Sequence, residues 1–178
     1  MNRHPILAEA AFGLFVTLIL GAAPVRSQTP VFPELPAALK PSGLKPYLAA
    51  AAKGVQIYVC KRAETGAWSW VFKAPEAELR DRQGAKLGKH YAGPTWEELD
   101  GSKVSGVVKA SASAPAANAI SWLLLDVKSR EGAGVFTEAK GILRVLTAGG
   151  VAPAAGCDED HAGLEARIGY TATYYFLK

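Results

Sequence analysis

Two imidazoles stand beside carboxylates in this chain, and they are the residues from which chemistry would start. His90 lies in Gly88-Lys89-His90-Tyr91-Ala92-Gly93-Pro94-Thr95-Trp96-Glu97-Glu98, with Asp100 just beyond, and His161 follows Cys157-Asp158-Glu159-Asp160. A side chain that titrates near neutrality, held against acids, suits general acid–base work or a borderline metal ion. The candidate binding set is therefore His90, Tyr91, Trp96, Glu97, Asp100, Asp158 and His161. The spacing matches no catalytic signature: H-E-x-x-H, H-x-H and the G-x-S-x-G elbow are all absent. No motif names a cofactor or a metal. Asp158-Glu159-Asp160 lacks the spacing and distal Glu of an EF-hand loop and reads as a solvated acidic turn. The segment around His90 has an equally simple structural reading, a Gly- and Pro-shaped turn whose Tyr91 and Trp96 pin a loop.

The cysteines bear on where such residues end up. Cys60 and Cys157 are the only two, and neither has the nearby cysteine partner that a zinc site needs. Residues 1–27 carry a positive start, an apolar middle from Ala10 to Ala23 and small residues before Gln28. This is the pattern of a secretory signal peptide cleaved near Ser27, with an apolar run too short for a membrane anchor. The mature protein is expected in the periplasm or secreted, with no transmembrane segment. In that oxidising setting Cys60 and Cys157 are expected to pair, and closing a loop of that length contributes about 4.7 kcal/mol in the chain-entropy picture. Loss of Arg3, Arg26 and Glu9 with the leader takes the net charge from +4 to +3. Basic residues are scattered among acids, so no nucleic-acid footprint is present.

The elements that must position these residues read as strands. Residues 28–46 hold five prolines and read as an extended arm or linker rather than a packed element, followed by a β-rich domain over 47–178. Alternation is clear at Val55–Cys60, at Trp68–Phe72 up to a break at Pro75, and from Ile168 to Phe176. Turns fall at Glu64–Gly66, Asp81–Gly84 and Asp100–Ser102, and Ile120–Val127 suits a strand buried on both faces. Val135–Thr147 reads as one β segment with Gly141 as a bulge or hairpin apex. The expected fold is all-β, a single antiparallel β-sandwich or barrel of about eight to ten short strands.

The pieces GVQIYVC (54–60), GKHYAGPTWE (88–97), SWLLL (121–125), AGCDEDHAG (155–163) and YTATYYF (170–176) occur in an order that resembles the exported bacterial and fungal family called domain of unknown function 3455. The resemblance implies an exported single domain and carries no activity or catalytic residue. Ser121 departs from it, at a position where members often have proline before the Trp. A malate-dehydrogenase label attached to some fungal members finds no G-x-G-x-x-G here.

Two functional readings follow. One is a non-enzymatic extracytoplasmic binding or surface-structural domain that holds a small molecule or glycan through the loops around His90–Trp96. The other is a small hydrolase or metal-dependent enzyme in which His90, a carboxylate among Glu97, Glu98 and Asp100, and His161 converge. They part on whether His90 and His161 share a pocket.

Overall fold

The computed structural model describes residues 29–178 and Met1. The signal peptide expected over 1–27 and its cleavage point lie outside the described residues, apart from Met1. Eight strands form one closed antiparallel barrel: β1 (Pro46–Arg62), β2 (Trp68–Arg80), β3 (Lys86–Tyr91), β4 (Thr95–Glu98), β5 (Lys103–Ala112), β6 (Trp122–Glu131), β7 (Gly141–Gly149) and β8 (Glu165–Leu177). Each strand pairs with the next in the chain and β8 returns to β1, placing Tyr174 opposite Ala50. Closure leaves few backbone groups unpaired along the sheet.

Alternation sets what faces inward. On β8, Tyr170, Ala172, Tyr174 and Phe176 belong to the interior cluster with Ala50 and Ala52 of β1, Leu79 of β2, Trp96 of β4 and Leu125 of β6. Strands come close enough in two places that only glycine fits. A Cβ on Gly54 would lie 2.0 Å from the Glu76 carbonyl oxygen, and one on Gly88 would lie 2.0 Å from that of Glu97. The outer wall of β1–β4 is charged, with ion pairs such as Lys89–Glu97, Arg80–Glu78 and Arg167–Glu76. That arrangement is the inverse of a lipid-facing apolar band.

Beyond the wall, a second cluster packs against the outside of β6, β7 and β8: Trp122, Leu124, Leu143, Val145, Tyr175 and Leu177. The proline-rich arm covers it. Leu39 is fully buried there, Phe32 meets Tyr175 edge-on at 5.3 Å, and the Tyr175 hydroxyl donates to the Val31 carbonyl at 3.0 Å. Ile120–Val127 is apolar on both faces because the cavity lies on one side and the arm on the other. The arm is thus packed against the domain, contrary to the expectation of a free extended segment; its prolines spare it backbone donors while its leucines and Phe32 supply the apolar surface.

Three further expectations are corrected. Pro75 does not break its strand: β2 runs through it, beside a register shift opposite Ile57 and Tyr58. β3 pairs with β2 only from Ala77 onward, so Pro75 lies on a strand edge where its missing N–H costs no ladder bond to β3. Val135–Glu138 is a 3-10 turn, not strand, and β7 begins at Gly141 without a bulge. Phe136 in that turn is fully buried and stacks on Phe176 at 4.4 Å, which draws the chain into the barrel end; the irregularity in β7 falls at Leu146, with φ 51°. Last, Gly88–Asp100 is not loop-rich: it is the β3–β4 hairpin, with His90 on a strand opposite Trp96.

Candidate functional site

The two barrel ends differ. At the end where β2 meets β3, β4 meets β5 and β6 meets β7, the Val135–Glu138 turn inserts Phe136 as a plug. The Phe136 N–H donates to the Glu98 carboxylate, and the Tyr47 hydroxyl donates to the Val135 carbonyl at 2.7 Å. At the other end the β1–β2 hairpin overshoots its neighbours, and the interior remains hollow. A cavity of about 820 Å³ runs down from that mouth.

Cross-strand partners share a face, which explains the cavity's floor and walls. His90 pairs with Trp96, and Arg144 pairs with both Leu123 and Tyr174, so all five side chains are turned to the interior and line the cavity. The His90 ring stacks on Trp96 at 4.5 Å and tilts against Tyr174 at 5.0 Å. His90 Nδ1 lies 2.8 Å from the Thr95 carbonyl oxygen. Because that oxygen only accepts, Nδ1 carries the hydrogen and Nε2 is left as an acceptor. Burial pushes the His90 pKa down to about 3, the Thr95 bond opposes this, and the positive charge of Arg144 adds to the lowering. The imidazole is neutral at physiological pH.

Gln56 Nε2 and Trp96 Nε1 are buried donors with no hydrogen bond. Arg144 donates through Nε and Nη2 to the Ser121 carbonyl, at 3.1 and 2.8 Å, and among the described residues no carboxylate pairs with it. Burial raises the pKa values of Tyr58, Tyr170 and Tyr174, and the Arg144 charge partly opposes the rise. Among the described residues no Asp or Glu lines the cavity.

The mouth is held by directional bonds. The Tyr58 hydroxyl donates to the Gly150 carbonyl at 2.6 Å, Trp70 Nε1 donates to that of Ala155 at 2.9 Å, and Thr147 Oγ1 to that of Ile120 at 2.6 Å. Cys60 and Cys157 form the disulfide, joining β1 to the β7–β8 loop.

The sequence candidates are thus divided. His90 and Trp96 face the cavity, whereas Tyr91 and Glu97, one residue further along their strands, share a 2.6 Å hydrogen bond on the outer wall. That bond and the Lys89 ammonium hold the Glu97 carboxyl below its ordinary range. Asp100 caps a turn at the plugged end by accepting from the Ser102 N–H. Asp158 and His161 are exposed in the β7–β8 loop and bond to each other at 2.6 Å, which lowers the pKa of the acid and raises that of the imidazole. The topology brings the His90 hairpin and the His161 loop to the same barrel end, yet one ring is inside and the other outside. The expected imidazole pair with convergent acids does not form. Among the described residues no group of three or more His, Cys, Asp or Glu side chains could hold a metal.

Sequence reasoning passed over Arg144, Gln56 and Tyr58. Arg144 had a visible signal, being the lone charge inside the apolar run Gly141–Leu146.

Residues 41–178 match the family described as Protein of unknown function (DUF3455). The chain belongs to that family. The match spans all eight strands, so the barrel, its cavity and the cysteine pair all lie within the DUF3455 domain. No curated protein and no solved structure matches the chain.

Proposed function

We propose that this DUF3455 domain is a non-enzymatic extracytoplasmic binding protein that holds a small, mainly apolar molecule inside the barrel. The observation that carries the reading is the cavity itself. Its volume of about 820 Å³ and its aromatic and aliphatic lining, with a few polar groups, are those of a small-molecule site, and an eight-stranded barrel is wide enough to hold one ligand. A glycan suits this lining less, since its many hydroxyls need more partners than the wall offers. His90 and Trp96 are the sequence candidates that would touch the ligand, as floor and stacking surface. Acid–base chemistry near neutral pH does not suit His90: burial holds its pKa at about 3, which makes it a weak base, and Glu97, Glu98 and Asp100 are directed elsewhere. Export is supported by the N-terminal pattern ending near Ser27 and by the cysteine pair, which suits an oxidising compartment. Among the described residues no helix is long and apolar enough to cross a membrane.

The test uses N-phenyl-1-naphthylamine, an uncharged dye that brightens in apolar sites, with wild-type protein and Leu123→Trp, which fills the cavity wall. Saturable brightening with the wild type and its loss in a folded Leu123→Trp protein are expected. No brightening, or equal brightening of both, sinks the reading.

A further inference from the structure

We infer that the cavity selects a monocarboxylate with an apolar, aromatic-sized body, its carboxylate held by Arg144. The inference rests on the binding reading above and names the ligand class. Two features of the wall point the same way.

The first is charge. Arg144 lines a mainly apolar cavity with no carboxylate beside it among the described residues, and the other cation in the lining, Lys73, is already paired with Glu165 at 2.5 Å. At the cavity mouth this half-buried guanidinium has no anion beside it, and its fork matches a carboxylate. The Ser121 carbonyl takes up Nε and one hydrogen of Nη2, which leaves Nη1 and the second Nη2 hydrogen to donate. The second feature is the absence of competing anions among the described residues of the wall, while His90, being neutral, adds no second positive charge. One unbalanced cation matches one negative charge, so a monoanion fits better than a phosphate monoester. Tyr58, Phe72, Trp96 and Tyr174 supply the apolar faces for the body of the ligand.

The experiment measures displacement of N-phenyl-1-naphthylamine at pH 7 by 4-phenylbutyrate, 4-phenylbutanol and 4-phenylbutylamine, which share one body and differ in the head. The acid is expected to bind about tenfold or more tighter than the alcohol, the worth of a charge-assisted hydrogen bond, and the amine weakest. Arg144→Met should level acid and alcohol, and Arg144→Lys, which keeps the charge, should retain a preference for the acid. Equal displacement by acid and alcohol in the wild type overturns the assignment while leaving the cavity reading intact. So does an acid preference that survives Arg144→Met. Failure of the dye itself to enter overturns both.

Discussion

The plugged end and the open end of the barrel are built by different physics. The plugged end is closed by packing: Phe136 lies flat on Phe176, and both are fully buried alongside Ile142 and Leu79. The open end has no such filling, and its loops are fastened one by one, by Tyr58 to Gly150, Trp70 to Ala155, Arg144 to Ser121 and the Cys60–Cys157 bridge. An end that stays hollow forgoes close packing, which leaves directional and covalent bonds to hold its rim. Close packing and the hollow cavity therefore lie at opposite ends.

The strongest way to break this division is Phe136→Ala. Removing a fully buried aromatic plug should cost about 3–5 kcal/mol of unfolding free energy in a urea titration, the range for large-to-small core changes. A cost near zero would mean that the plugged end is not held by packing.

Replacing both Cys60 and Cys157 with serine attacks the other end. A loss of roughly 2–5 kcal/mol is expected from the freed unfolded chain. Hydrogen exchange sharpens the contrast: amides of the β7–β8 loop should lose protection in the double variant, while those around Phe136 keep theirs relative to the global value. Uniform loss at both ends would dissolve the distinction.

The smallest effect concerns His90 and is nil at neutral pH. Folded His90 stays neutral down to about 3, whereas the unfolded chain takes up a proton below the ordinary value of 6.5. The unfolded state thus binds more protons in this window, and stability falls as pH is lowered through it. Between pH 6.5 and 5, above the carboxylate range, the wild type should lose unfolding free energy that His90→Phe does not lose. Parallel pH profiles for the two proteins would show that His90 is not held neutral in the folded state.

The same contrast bears on what could be read in advance. Strand periodicity exposed β1, β8 and the doubly apolar β6, because alternation is local and each run carries its own signal. Plugging was not visible: Phe136 sits in a segment as β-compatible as a strand, and only the proximity of Phe176, forty residues later, makes it a plug. The arm misled in the same way, since its prolines report backbone conformation while its burial depends on an outer face of β6–β8 that the arm's own residues do not describe.

By itself the sequence determined an all-β domain, the turns between strands, the cysteine pairing and the family, since these follow from local chemistry, the count of two cysteines and order along the chain. Tertiary structure alone decided which residues share the interior. Because side chains alternate with period two, His90 and Tyr91, or Trp96 and Glu97, are neighbours in sequence and opposites in space. Closing the barrel chose His90 and Trp96 for the inside, left the carboxylates outside, and set Arg144 against Tyr174 across a strand pair separated by thirty residues.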